Sequence, residues 1–120
     1  MSWAPERQDI IWIDCSPQVG AEMKNIHPFV VLSGKKFNDK TSLVIGLPMT
    51  TASYNAKNPF AIKVGKVKTK TGEKQSYILC HQPKSFDWRV RNSSAHPLKK
   101  LANNQFVEMC NILNQIVEIG

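Results

Sequence analysis

Short apolar runs, separated by polar segments that contain glycine or proline, occupy the first two thirds of the chain. Most are rich in β-branched or aromatic side chains, and the run ending at Val64 alternates apolar and polar residues, which is typical of strands. We therefore predict five strands, at residues 9–14, 29–33, 43–47, 60–64 and 75–80. Pro48 ends the third strand, and a turn at Gly72 joins the last two into a hairpin.

The segments between these strands are rich in turn-forming residues. Residues 16–27 and 51–58 are predicted to be loops, and residues 34–40 a polar turn. Residues 81–89 are predicted to be irregular, because Pro83 interrupts the pattern of the preceding strand.

The end of the chain has the spacing of a helix, with apolar residues recurring three and four positions apart. These residues are Phe106, Met109, Cys110, Leu113, Ile116 and Val117. Asn103 or Asn104 is suited to cap the N-terminus of this helix. The whole pattern predicts a mostly β (α+β) fold, a small antiparallel barrel with a C-terminal helix, formed by residues 1–120 as a single domain.

Charge adds information about partners. Sixteen lysines and arginines against nine acidic residues give a formal net charge of +7, which suits a polyanion such as nucleic acid but also an ordinary soluble surface. Five lysines crowd the predicted hairpin, where they also discourage edge pairing; they are Lys63, Lys66, Lys68, Lys70 and Lys74. No run is long enough to span a membrane and no signal peptide is recognisable, so we expect a cytoplasmic protein without membrane association.

Motifs with known chemistry are missing from the sequence. The three cysteines are odd in number and widely spaced, which supports neither a disulfide framework nor a zinc site. The remaining candidates for chemistry are His27, His81, His96, Glu22, Asp14, Asp87 and Thr50. His27 and His81 each lie where a predicted strand meets a loop, which is where small barrels build their sites. His96 precedes Pro97 in a predicted polar turn, and we expect it to take no part.

Five blocks of the sequence match, in order, those of the MazF/PemK toxins of type II toxin–antitoxin systems. The blocks are residues 9–14 with the following Pro17, Gly20 and Glu22, then 28–33, 48–51, 58–60 and 81–89. The chain resembles this family over essentially its whole length. The resemblance implies an SH3-like barrel of the CcdB/MazF/PemK kind, and a homodimeric endoribonuclease, or mRNA interferase, that cuts single-stranded RNA at short sequences.

The same resemblance implies how such a toxin is controlled. A small acidic antitoxin with a disordered tail neutralises the toxin in the bacterial cytoplasm, and the toxin meets DNA only indirectly, through the antitoxin complex. No metal or other cofactor is implied. We expect the antitoxin to cover His27 and Thr50.

Catalytic positions are carried over from the family one residue at a time. The loop glutamate of the family falls on Glu22 and its threonine on Thr50. Its arginine falls on His27, which is a departure. In the PemK branch an acidic residue precedes Gln-Pro, and here His81 stands at that position, while the arginine two residues earlier falls on Leu79.

Cleavage of RNA without a metal needs a base for the 2′-hydroxyl, an acid for the leaving 5′-oxygen and positive charge beside the phosphorane. Histidine can serve as acid or as base. We therefore expect His27 and His81 to act as a pair, with Thr50 donating a hydrogen bond to the phosphate. Loops supply the expected contacts to RNA, at Gln18, Gly20, Tyr54, Asn55, Lys57, Gln82 and Lys84.

Two alternatives remain open. The histidine at position 27 also fits a weakened family member that acts only by binding antitoxin or RNA. A gyrase-poisoning toxin of the same fold is disfavoured, because such toxins depend on a tryptophan near the C-terminus and residues 116–120 contain no aromatic. A homodimer is further expected because the chain has more aromatic surface than a small barrel readily encloses, at Trp12, Phe29, Phe86, Trp88 and Phe106.

Overall fold

The computed structural model describes residues 3–15, 26–69 and 71–118. Within them the elements are β1 (Asp9–Asp14), β2 (Ile26–Val31), α1 (Lys35–Thr41), β3 (Leu43–Thr50), β4 (Ala61–Thr69), β5 (Gly72–Leu79), β6 (Lys84–Asp87), β7 (Ser94–Lys100) and α2 (Asn103–Ile116). A short 3₁₀ turn, Ser53–Lys57, lies between β3 and β4. Neither helix is long and apolar enough to cross a membrane, as far as the described residues go.

All strand pairs are antiparallel, in the order β4-β5-β3-β2-β1-β7, and β6 pairs with β3 outside this path. Strand β3 has β2 on one flank, while its other flank pairs with β6 at Leu43–Gly46 and with β5 at Met49 and Thr50. Because one strand serves two different neighbours along its length, the sheet curls into a half-barrel. The predicted antiparallel barrel with a C-terminal helix is confirmed.

The sheet is buried on both faces, and successive residues of one strand enter different cores. One core lies between the sheet and α2 and includes Ile10, Val30, Leu47, Met49, Ile78, Phe106 and Met109. The other includes Ile11, Ile13, Phe29, Val31, Val44 and Trp88. This explains why the predicted strand at 29–33 is almost continuously apolar. Cys80 belongs to the first core, and burial raises its thiol pKa to about 11.

The predicted polar turn at 34–40 is wrong, because Lys35–Thr41 forms helix α1. Asn38 holds this helix through contacts with distant parts of the chain. Its Nδ2 donates to the carbonyl oxygens of Pro5 and Ser33, at 2.8 and 3.1 Å, and its own carbonyl oxygen accepts from Trp88 Nε1 at 2.8 Å. Local sequence does not contain this information, since the partners lie up to 50 residues away.

We expect Asn38→Ala to lower the free energy of unfolding by about 2–4 kcal/mol, because Asn38 is fully buried and its loss leaves buried carbonyl groups without donors. Urea denaturation followed by tryptophan fluorescence measures this change. Asn111→Ala, on the exposed face of α2, is the matched control and should change stability by less than about 0.5 kcal/mol. Equal losses in the two variants would contradict the proposed role of Asn38.

Strand β3 continues through Pro48, where the sequence pattern predicted its end. Pairing with β5 begins only at Met49, so the missing N–H of Pro48 interrupts no bond to that strand. Strand β4 extends past the predicted 60–64 to Thr69, with a register shift at Gly65, whose φ of 136° favours glycine. The N-cap of α2 is Ala102, not Asn103 or Asn104.

Two strands lie in segments that were not predicted as strands. Strand β6 lies inside the predicted irregular segment 81–89. Strand β7 contains His96 and Pro97, so the predicted polar turn there is wrong. It pairs with β1 and is the outer strand of the sheet, and His96 is its one buried residue, so the pattern of an apolar strand is absent.

Candidate active site

A cavity of about 700 Å³ opens between the start of β2, the end of β3, the middle of β4 and β7. This volume is within the usual range of small-ligand sites. The lining contains seven polar side chains suited to an anion or a proton, namely His27, Thr50, Thr51, Lys66, Lys68, Ser76 and His96, together with the ring of Trp12. The cavity is therefore a candidate for chemistry on an anionic substrate.

His27 and Thr50 come together because β2 and β3 are neighbours. Their register ends with Phe29 opposite Pro48, and His27 and Thr50 each lie two residues beyond that last pair on their own strands. Both line the cavity. The Thr50 hydroxyl oxygen accepts a hydrogen bond from the Ala52 N–H at 3.2 Å, which leaves the hydroxyl hydrogen available to a ligand.

His96 faces the same cavity, although the sequence analysis set it aside. Its ring centroid lies 4.4 Å from that of Trp12, and the residue is only 8% exposed. The N–H of Leu98 donates to His96 Nδ1 at 3.0 Å, and burial lowers the pKa of His96. No periodicity pointed to this residue, because a polar outer strand shows none.

The described lining is positively charged. Lys66 and Lys68 line it, and none of its described residues is an aspartate or glutamate. Both lysines follow the bulge at Gly65, in the lysine-rich segment of the predicted hairpin. In the described part of the chain no group of His, Cys, Asp or Glu side chains is placed to hold a metal ion. What the arrangement offers is positive charge, hydrogen-bond donors and imidazole.

His81 lies elsewhere. It is exposed just after β5, with its ring centroid 5.9 Å from that of Phe60. Strand β5 ends at Leu79, so His81 lies in the turn that follows the strand, and it is not among the described residues that line the cavity. The structure therefore does not place His81 in the described lining of the cavity that contains His27, and the predicted pair stays a prediction.

Gln82 and Lys84 are exposed, and neither is among the described residues that line the cavity. Their predicted contacts with RNA, and a separate role for His81, stay predictions. Gln18, Gly20 and Glu22 lie outside the described residues, so their roles stay predictions as well.

A second opening of about 660 Å³ adjoins the first and shares Thr50 and Thr51 with it. Tyr54 lines this opening and is 78% exposed, so its ring is available for stacking. The opening extends the candidate site beyond Thr50 and Thr51 towards Tyr54.

Asn55, predicted to bind substrate, is instead buried in the 3₁₀ turn. Its Nδ2 donates to the Ala52 carbonyl and its Oδ1 accepts from Asn58 Nδ2, both at 3.1 Å. These bonds occupy the side-chain amide within the turn, and a contact of Asn55 with RNA stays a prediction. Lys57 is exposed at the end of the turn and lines neither opening.

Comparison with known proteins gives a consistent set of relatives. Residues 6–117 match the family of PemK-like, MazF-like toxins of type II toxin–antitoxin systems. The endoribonuclease toxin MazF of Escherichia coli strain K12 is 34% identical over 92 residues, which cover 77% of each chain.

Solved structures share the fold. MazF from Deinococcus radiodurans has a TM-score of 0.75 at 24% identity, covering 98% of this chain and 100% of that one. An endoribonuclease in complex with its cognate antitoxin, from a mycobacterial species, has a TM-score of 0.65 at 15% identity, covering 98% and 96%. At these identities the likeness establishes the architecture alone.

Proposed function

Since the chain belongs to the family of PemK-like, MazF-like toxins of type II toxin–antitoxin systems, we propose that it is a sequence-selective endoribonuclease that cuts single-stranded RNA without a metal ion. The observation that supports this most is the cavity in which His27 and Thr50 meet beside Lys66 and Lys68. It combines a group that transfers protons with donors and cations suited to a phosphodiester.

In the proposed reaction the 2′-hydroxyl of one nucleotide attacks its own 3′-phosphorus, and His27 accepts the hydroxyl proton. The P–O5′ bond breaks, a 2′,3′-cyclic phosphate forms, and the leaving 5′-oxygen takes a proton from solvent or from a lysine ammonium. Thr50 donates a hydrogen bond to the phosphate, while Lys66 and Lys68 stabilise the charge of the phosphorane. DNA lacks the nucleophile, which restricts the substrate to RNA.

A single strand is the expected substrate for two reasons. In-line attack needs a backbone that can turn at the scissile phosphate, which a regular duplex prevents. Unstacked bases are also needed for recognition by an exposed ring such as that of Tyr54. The second opening, beside Thr50, offers a place for such a base.

The partners we propose are an acidic antitoxin and a second copy of this chain. A net charge of +7 favours rapid encounter with an acidic partner, and the positive cavity is the part that such a partner would cover.

The proposed dimer rests on exposed apolar side chains. Of the aromatic residues expected at its interface, Phe29, Trp88 and Phe106 are instead buried within one chain. Leu43, Ile45 and Val90 stay exposed and support a subunit interface instead. DNA would be reached only through the antitoxin complex.

The test is incubation of the purified protein with a defined RNA in EDTA. We expect cleavage of the single strand, with products ending in 2′,3′-cyclic phosphate and 5′-hydroxyl, and none of the same strand carrying 2′-deoxy sugars or annealed to its complement. Cleavage that EDTA abolishes would contradict a metal-independent reaction. Binding of RNA without cleavage would favour the alternative of a weakened, binding-only family member.

A further inference from the structure

His96 is held in one orientation at the wall of the cavity. Strand β7 brings it beside β1, where its ring packs against Trp12 with the two centroids 4.4 Å apart. The Leu98 N–H points at Nδ1 from two residues along the same strand. A side chain fixed on two sides in this way presents a constant geometry to whatever enters the cavity.

The hydrogen bond from Leu98 decides which nitrogen carries the proton. Nδ1 accepts, so in the neutral ring the hydrogen is on Nε2. Among the described residues no buried polar side-chain atom lacks a hydrogen-bond partner, and the bond of this ring is made by Nδ1. Nε2–H is therefore an accessible donor on a side chain that lines the cavity.

The surroundings keep this ring uncharged. Protonation at Nδ1 would replace an accepting lone pair by a hydrogen facing the Leu98 N–H. The charged or titratable groups that share the cavity are His27 from β2 and Lys66 and Lys68 from β4, none of which attracts a proton to its neighbour. On β7 itself Lys99 follows, and Lys100 is paired with Asp9 at 2.9 Å. Burial lowers the pKa of His96 in the same direction.

We propose that His96 is a second catalytic residue of this site, which donates a hydrogen bond from Nε2–H to a non-bridging oxygen of the reacting phosphate and stays neutral throughout. This inference rests on the proposed cleavage of RNA. It divides the work between the two histidines of the cavity: His27 transfers the proton, and His96 stabilises negative charge on the phosphate without titrating. A neutral N–H donor stabilises the negative charge that develops on the phosphate and does not compete with His27 for the 2′-hydroxyl proton.

Two substitutions separate this role from others. His96→Ala removes the donor and should lower kcat about 10²-fold, the usual effect of losing one such donor. His96→Gln keeps an N–H donor near the position of Nε2 and should retain activity within about tenfold of the wild type. Both variants should keep the shape of the pH profile, because His96 does not titrate in the reaction.

Three results would overturn the inference. One is wild-type kcat in His96→Ala. The second is a loss in His96→Gln as large as in His96→Ala, and the third is the loss of one limb of the pH profile in either variant, which would make His96 a proton-transfer group. Thermal unfolding of both variants shows whether the Ala variant is folded, and if it is not, the Gln variant and its pH profile decide.

A readout that does not need activity completes the test. Nitrogen-15 NMR of the wild type should show His96 as the neutral Nε2–H tautomer at neutral pH. A 2′-deoxy oligonucleotide, which cannot be cut, should bind His96→Ala about tenfold more weakly than His96→Gln. If the wild type cuts no RNA at all, the proposed function fails, and the tautomer and this binding ratio alone decide the role of His96.

Discussion

Replacing His27 by alanine is expected to slow RNA cleavage by about 10²- to 10⁴-fold, the usual contribution of one proton-transfer group. His27 lines the cavity together with Thr50, and no other group of the described lining is suited to accept the 2′-hydroxyl proton. Lys66 and Lys68 are cations at neutral pH, and His96 offers its Nε2–H as a donor. Single-turnover cleavage rates measure the effect.

The arginine variant is the sharper test of how His27 acts. Arginine keeps its proton at any relevant pH, so His27→Arg should lower the rate and remove the limb of the pH profile that histidine supplies. Both variants should bind the 2′-deoxy oligonucleotide within a few-fold of the wild type. A rate that rises in His27→Arg would show that the histidine is a weakened version of the family's arginine and would contradict proton transfer by His27.

Gly46→Ala is expected to lower the free energy of unfolding by about 3 kcal/mol or more, because overpacking at this position cannot relax. Gly46 lies in β3 between Val31 of β2 and Lys84 of β6. A Cβ atom there would lie 2.0 Å from the Val30 carbonyl oxygen and 2.6 Å from the Phe29 ring. The two strands that bring His27 to Thr50 would have to separate.

The matched control is Gly34→Ala. Gly34 has a φ of −73°, and nothing lies within 4 Å of the Cβ that alanine would add. We expect it to change stability by less than about 1 kcal/mol. Urea midpoints compare the two variants, and an equal shift in both would mean that the close approach of β2 and β3 at Gly46 does not matter.

Elements whose stability comes from apolar burial could be predicted from the sequence. Strand β1 has the bounds that were predicted, and the uninterrupted apolar run in β2 correctly indicated burial on both faces. Elements that are stabilised by polar contacts with distant residues could not be predicted from the sequence. Helix α1 depends on Asn38 meeting Pro5 and Trp88, and no local pattern records those partners.

Some residues of the candidate site could likewise be predicted from the sequence, and others could not. His27 and Thr50 were found by resemblance to a family, and strand pairing brings them together. The sequence predicts a polar turn at His96 and Pro97, and because their strand has only one buried residue, no apolar pattern reveals it as a strand. His27 and His81 both lie at predicted strand ends, but of the two only His27 is part of the described lining of the cavity. Only the topology decides which strand ends meet.

The central claim is that RNA is held in the cavity lined by His27 and His96, and histidine NMR tests it most directly. The chain has three histidines, so their Cε1–H signals can be assigned with the variants His27→Gln, His81→Gln and His96→Gln. We predict that a 2′-deoxy dinucleotide spanning one phosphate shifts the signals of His27 and His96 together, with one saturation curve. Saturable binding that leaves both of these signals unchanged, with a shift at His81 alone, would contradict the account.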